Sequence, residues 1–477
     1  MDLDSPLETE IDVTVKNLTV RYGGTQSWSS QPAVTFVLDD VSAITYDLVV
    51  NGSGVFVAHK ANYVKTAIWT GAGDTDDPTD PDNWSCTDVS GQSISGCPCV
   101  LTEITVETPV TMNVPAGKKV YCKSITTTGT AALASDCDWR GFVKPTIAGT
   151  LDLAGYTLRI NALRGDGAIT DTSSGDPGEL HVDVPPGVTA QNTSIVVSGN
   201  LKLVKDGEGS LALAKDGQSY TGGTDANEGT LVYGTGSNPA GSPNATVKVA
   251  AGATLDMNGV LNQSCVYNYD LAGTVLQYSS GQGWVDACRC FGDITLSGDA
   301  TIKGSNFFFS NPTKATGLIT FNGHTLTLNI VNADGSAGYS AFGAWSDEAE
   351  GGTLVVSGLG HTELTKGGVG CTRTRFVVTG DTFKLSGSAE IRGGFEYGSG
   401  TWTSGKGTPV LQVYGRYVAL GAMRPRLNMH GGSTLDLSAM DVVWSADGIQ
   451  PSNVKLIRGT RSRGSCRSPP TAARRYS

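Results

Sequence analysis

Two short strings set carboxylates beside a tryptophan: Asp136-Cys-Asp-Trp-Arg140 and Trp345-Ser-Asp-Glu-Ala-Glu350. Clustered carboxyl groups on one outer face, often with an arginine or cation, are what cleavage of an acidic or neutral polysaccharide requires. An indole next to those acids is what a platform for a sugar ring would look like. The plain alternative is a corner loop whose acids are solvated and whose tryptophan covers the core. Adjacency in sequence does not fix how far apart two carboxyls stand on a folded chain, so both readings stay open. Asp138 and Asp347 are the residues whose replacement would expose an enzyme.

Other catalytic patterns are missing from the sequence. There is no G-x-S-x-G, no P-loop and no H-E-x-x-H. The five histidines, His59, His181, His324, His361 and His430, are scattered singly, and each reads as a surface or turn residue rather than a base. The string Asp74-Thr-Asp-Asp-Pro-Thr-Asp-Pro-Asp82 could offer hard carboxylate oxygens to calcium. Its spacing departs from the EF-hand loop, and a solvated, proline-broken turn accounts for it. No catalytic, cofactor-binding or metal-ligating residue is therefore assigned, and no cofactor is expected.

Composition says which elements must carry these residues. Of 477 residues, 63 are glycine, about twice the usual share. Glycine does not fall at every third place, which excludes collagen. Apolar residues recur every few positions and make up 39% of the chain, which excludes disorder. No apolar run is long enough for a transmembrane helix. The net charge of -11 is uneven, because Ile457–Ser477 carries six arginines and no acid. An acidic body argues against nucleic acid and anionic membrane as partners. The basic tail, residues 457–477, breaks so sharply from the rest that it reads as a disordered or out-of-frame end. Met1-Asp-Leu-Asp-Ser-Pro-Leu-Glu has neither a basic nor an apolar leader segment, so any signal peptide is expected upstream.

Three textures follow one another. Residues 1–67 contain alternating runs (Val13, Val15, Leu18, Val20; Ala33–Leu38; Tyr46–Val50) and a hairpin-type Asn51-Gly52. They predict a small antiparallel, sandwich-like β-domain. Residues 68–99 form a Trp- and Asp-rich joint. Residues 100–456 repeat one grammar: a β-branched run, a Gly, a Thr-Leu pair, an alternating pair, then Gly or Asn-Gly. Gly229-Thr-Leu, Gly252-Ala-Thr-Leu and Gly273-Thr-Val-Leu are successive copies at nearly equal steps. Short strands at a period of about 20–25 residues, without amphipathic helices, predict a β-solenoid. Its coils stack at about 4.8 Å in parallel ladders, with apolar residues inward and Thr, Ser and Asp facing water.

Tyr22-Gly-Gly-Thr, Pro32-Ala-Val-Thr-Phe36 and Asn62-Tyr63 resemble Ig-like modules of bacterial surface proteins. Ile68-Trp-Thr-Gly-Ala-Gly-Asp74 with Asp82-Asn-Trp84 is similar to a segment that often precedes repeats in secreted bacterial proteins. A more specific stretch runs Leu203-Val-Lys-Asp-Gly-Glu-Gly-Ser-Leu-Ala-Leu213, Tyr220-Thr-Gly-Gly-Thr224, Glu228-Gly-Thr-Leu231 and Pro243 to Asp256. It resembles the autotransporter-associated β-strand repeat of bacterial passenger regions, and Gly352–Gly380 echoes it. The resemblance implies a right-handed parallel β-helix, export to the cell surface or beyond, and no catalytic residues within the repeat. The chain departs from the pattern in having ten cysteines and in ending without a membrane-barrel tract.

Ten cysteines suggest an oxidising compartment. Cys97-Pro-Cys99 and Cys288-Arg-Cys290 have a C-x-C spacing that signals zinc less well than C-x-x-C, so disulfides are preferred. Cys99 and Cys122, like Cys265 and Cys288, have the same spacing as Gly229 and Gly252 of the repeat. One coil of stacking brings such residues to about 4.8 Å, inside the window of roughly 4.4–6.8 Å for bonded cysteines. Coil-to-coil disulfides are therefore expected, unless coil lengths vary and put the sulfurs on different faces. The reading as a whole is an all-β chain: a non-catalytic, secreted or surface-displayed solenoid, acting as spacer or adhesin scaffold toward surface glycans or other surface proteins. The competing functions are a carbohydrate-active β-helix enzyme, lyase or hydrolase, and a phage or virion spike, which would be a stable trimer.

Overall fold

The computed structural model describes residues 63–258 except 100, 144, 193, 235–237 and 244, and then 267–278, 292–305, 319–335 and 352–357. Other strands between Ala33 and Ile457 are described by their backbone alone. The basic tail beyond Ile457 and the Asn51-Gly52 turn lie outside the described residues. Nearly all of the structure is β. Among the described residues the only helical element is a 3-10 turn, Pro81–Asn83, started by the Asp80 side chain and by a proline at its first position. No helix there is long and apolar enough to cross a membrane.

Two compact units divide the chain. The first comprises residues 1–185 with 190–204 and 219–221. It opens with an antiparallel sheet of β1 (Ala33–Leu38), β2 (Ser42–Val50) and β3 (Phe56–Lys60). A mixed sheet follows, in which β4 (Thr66–Trp69) pairs antiparallel with β5 (Trp84–Thr87), and β5 with β6 (Ser93–Ile94). On its other edge β4 pairs parallel with β7 (Glu103–Val106), so one strand turns hairpin pairing into solenoid stacking. Next come β8 (Val120–Tyr121), β9 (Ser124–Ala132), β10 (Cys137–Asp138), β11 (Phe142–Val143) and β12 (Ile147–Asp152). They are followed by β13 (Thr157–Ile160), β14 (Ala168–Asp171), β15 (Gly178–Asp183), β16 (Thr189–Asn192) and β17 (Val196–Gly199).

Parallel ladders organise this unit. One runs β7-β9-β12-β14-β17, and a second places β10, β13 and β15 side by side. Alternation sets which side chains enter the core: along β13, Leu158 and Ile160 are buried while Thr157 and Arg159 face outward. Ile104, Ile125 and Ile147 stack in one column and Leu151, Ile169 and Val197 in another, all fully buried. Coils are not of one length. Glu103 pairs with Ser124 and Ile125 with Ile147, whereas the coil that pairs Ala168 with Val196 is distinctly longer. Glycine is required where the coil bends tightly. At Gly165, with φ +114°, an added Cβ would lie 1.9 Å from the Ile147 carbonyl oxygen.

The second unit repeats the design with strands at Ser210–Leu213, Thr230–Tyr233, Thr254–Asp256, Thr274–Tyr278, Ala300–Ser305 and Thr325–Ile330. Leu211, Leu231, Leu255, Val275, Ile302 and Leu328 form one inward column, each fully buried. Burial of such side chains is worth about 1.5–3 kcal/mol each. The neighbouring outward column is Ser210, Thr230, Thr254, Thr274, Thr301 and Thr327, each half-buried. This is the repeated Gly-Thr-Leu grammar in three dimensions. Lys205, 0% exposed, locks a corner by donating from Nζ to the carbonyls of Asp206 (2.8 Å), Gly207 (2.6 Å) and Glu228 (3.1 Å).

Candidate functional site

The first of the two carboxylate strings lines an open groove of about 180 Å³ in the first unit, formed by Asn113, Asp136, Cys137, Asp138, Arg140, Thr157 and Arg159. Stacking builds it. β10 lies beside β13 with Asp138 opposite Arg159, and β13 lies beside β15 with Arg159 opposite His181. Asp138, Arg159 and His181 therefore form one outward column across three coils. The backbone N–H of Asp138 donates to Asn113 Oδ1 (2.8 Å), and that of Thr157 to Asp136 Oδ1 (2.8 Å).

Arginine and carboxylate cancel one another along this face. Arg140 reaches back to Asp138 through Nε (3.0 and 3.2 Å) and Nη2 (2.6 Å), and forward to Asp183 through Nη1 (3.0 Å). Arg159 Nη1 meets His181 Nδ1 at 3.1 Å, and His181 Nε2 meets Glu179 Oε2 at 3.0 Å. Glu179 Oε1 in turn stands 3.7 Å from Lys202 Nζ. Partial burial opposes charge on Asp138, but hydrogen bonds and charge from Arg140 outweigh it and hold the carboxyl below its ordinary value. Hydrogen bonds to Asp138 and Asp183 raise the guanidinium of Arg140 further above its own.

Trp139 is no sugar platform. It is 0% exposed, its Nε1 donates to the Met112 carbonyl (3.1 Å), and its ring meets Phe142 edge-on at 5.8 Å. Alternation along β10 explains this: with Asp138 and Arg140 outward, Cys137 and Trp139 must point in. Cys137 is likewise buried, and desolvation pushes its thiol up to about 12. The acids of the second string, Asp347, Glu348 and Glu350, lie outside the described residues.

The histidines are not all surface or turn residues. His181 sits on β15 at 8% exposure, bracketed by Arg159 and Glu179. His324 occupies a half-exposed turn 3.8 Å from Asp299. His59 and His361 fall on strands described by backbone alone, and His430 lies outside the described residues. The Asp74–Asp82 loop is organised by buried Asn83, whose Oδ1 accepts from Gly73 N (2.8 Å). Its Nδ2 donates to the carbonyls of Thr75 (2.7 Å) and Asp77 (2.9 Å). Asp77 and Asp80 spend carboxylate oxygens on amides two residues ahead. Among the described residues no three His, Cys, Asp or Glu side chains converge as metal ligands.

The expected Cys99–Cys122 bond is not formed in the structure. Both are buried free thiols, and burial pushes Cys122 up to about 12. The local ladder pairs Glu103 with Ser124. Cys99 is also drawn into a turn whose carbonyl accepts from Thr102 N (2.8 Å). Cys265 and Cys288 lie outside the described residues.

Sequence reasoning found Asp136, Asp138 and Arg140 but missed Asn113, Arg159, Glu179, Asp183 and Lys202, which other coils supply. Counting one local coil at a time forward from Asp138 would have reached Arg159 and then His181. Comparison of the chain with protein-family models, curated proteins and solved structures found no match.

Proposed function

We propose that this protein is a non-catalytic β-solenoid displayed at a cell surface or secreted, acting as spacer and adhesive scaffold, with the Asp136–Arg159 groove contacting surface glycans. One observation carries the reading: Arg140 holds both carboxylate oxygens of Asp138, Nε on Oδ1 and Nη2 on Oδ2, and keeps its carboxyl below the ordinary value. Asp138 is thereby unsuited to be a glycosidase's proton donor, which keeps its proton at working pH, while the ionised partner of such a pair is a second carboxyl. Paired charges with amide and hydroxyl neighbours instead offer donors and acceptors to the hydroxyls of a polar saccharide. The passenger-type repeat resemblance of Leu203 to Asp256 supports placement outside the cell.

The test pairs two assays on the full-length chain with one panel of neutral and acidic polysaccharides. Glycan-array binding is expected for at least one class, weakened tenfold or more by Arg140→Ala. No reducing ends or unsaturated uronides are expected. Turnover that disappears in Asp138→Asn would overturn the proposal in favour of a carbohydrate-active enzyme. A stable trimer by light scattering would favour the spike reading.

A further inference from the structure

Cys86 lies on the hairpin, and Cys97 just after it, that ends the mixed sheet of the first unit, where β6 is the outermost strand among the described residues. Cys86 sits on β5, buried, opposite Ile94 of β6. Its Sγ donates to the carbonyl oxygen of Gly96 at 3.3 Å, and Cys97 is the next residue after that carbonyl. In a planar trans peptide a carbonyl oxygen lies on the same side as the following Cα, roughly 2.8 Å away. The Cα of Cys97 is therefore within roughly 6 Å of the Cys86 sulfur. The Cys97 sulfur donates to the Thr79 carbonyl at 3.1 Å. Closing a bond to Cys86 requires Cys97 to give up this contact. Cys99 is engaged elsewhere, its sulfur near Thr102 Oγ1 (3.4 Å) and the Val64 carbonyl (3.9 Å).

We infer that Cys86 and Cys97 are a redox pair whose disulfide staples this edge hairpin. A sheet edge is a place where chains pair, and a covalent closure fixes the strand at this one in place. The oxidant is a small-molecule or protein disulfide, R–S–S–R. The thiolate of Cys97, the residue less buried as a whole, attacks one sulfur of the donor and expels RS⁻. The thiolate of Cys86 then attacks the mixed disulfide at the Cys97 sulfur and expels the second RS⁻. The two cysteines lose two protons and two electrons, and the donor becomes two RSH.

Geometry makes the pair slow as well as close. Burial pushes the Cys86 thiol up to about 11. Burial, then Cys86, Asp80 and Asp77, push Cys97 up to about 11. Thiolate is scarce at neutral pH, and its fraction rises about tenfold per pH unit up to that value.

The experiment incubates the full-length chain with oxidised glutathione at pH 7, 8 and 9, blocks remaining thiols, and digests without reduction. Asp-N cuts before Asp88 and trypsin after Lys118, which separates Cys86 from Cys97. The expected product is Asp82–Thr87 joined through sulfur to Asp88–Lys118, formed roughly tenfold faster per pH unit. Its formation should persist in Cys99→Ser and vanish in Cys97→Ser. Recovery of Cys86 and Cys97 as blocked thiols under conditions that oxidise other cysteines would overturn the inference. So would a linked peptide that survives Cys97→Ser, and both readouts use folded wild-type chain as reference.

Discussion

Trp139 separates a sugar platform from a core residue, and Trp139→Ala tests which it is. The indole is fully buried, packs edge-on against Phe142 and donates to the Met112 carbonyl. Truncating a buried tryptophan to alanine costs about 3–5 kcal/mol through lost transfer energy and the cavity left behind. The aromatic pair, about 0.5–1.5 kcal/mol, and the orphaned carbonyl, about 1 kcal/mol, place the change in the upper half of that range. At a slope of about 2–3 kcal/mol/M in urea, the midpoint falls by roughly 1.3–2.5 M. Trp139→Phe keeps most of the packing and loses the N–H, so its midpoint should fall by less than half as much. The assay is urea unfolding of the full-length chain by circular dichroism, beside glycan binding at low urea. A platform residue would behave in reverse: binding would collapse while the midpoint stayed within about 0.2 M of wild type, and that result would refute the reasoning.

Three further predictions concern the same framework. Lys205→Met removes three charge-assisted hydrogen bonds to corner carbonyls and regains the cost of burying the ammonium; a net loss of about 2–4 kcal/mol is expected in equilibrium unfolding. Gly165→Ala should cost more than about 2 kcal/mol, because the new Cβ meets the Ile147 carbonyl and φ is positive; a neutral thermal melt would contradict the corner geometry. Asp138 has a depressed carboxyl, so its stabilisation is fully present above the ordinary carboxyl range of about pH 4 and is lost as pH falls through the depressed value. Melting curves from pH 7 to 2 should show wild type losing its advantage over Asp138→Asn below about pH 4, and parallel curves would count against the ion pair.

Much of the fold was legible in the sequence because a solenoid writes its geometry locally. Gly-Thr-Leu strings carry a corner, an outward hydroxyl and an inward apolar residue in three letters, and the columns from Ser210 to Thr327 and Leu211 to Leu328 follow them. The all-β character and the absence of long helices followed from the same texture. The groove was legible only in part. Asp136, Asp138 and Arg140 are sequence neighbours, whereas Arg159 and Asp183 join them through register. Register depends on coil lengths, and these differ even between neighbours: the coil from Thr150 to Ala168 is short and the next, from Ala168 to Val196, is long. The orientation of Trp139 was readable once Asp138 and Arg140 were put outward, since side chains of a strand alternate.

The central claim is that the Asp136–Arg159 groove holds a saccharide without cleaving it. The most direct test is a stoichiometric, prolonged incubation of the full-length chain with whichever oligosaccharide it retains, followed by mass spectrometry of the sugar. The account predicts that the oligosaccharide is recovered intact, and that Arg140→Ala releases it. Shortened or unsaturated products that appear with wild type and vanish with Asp138→Asn would contradict it.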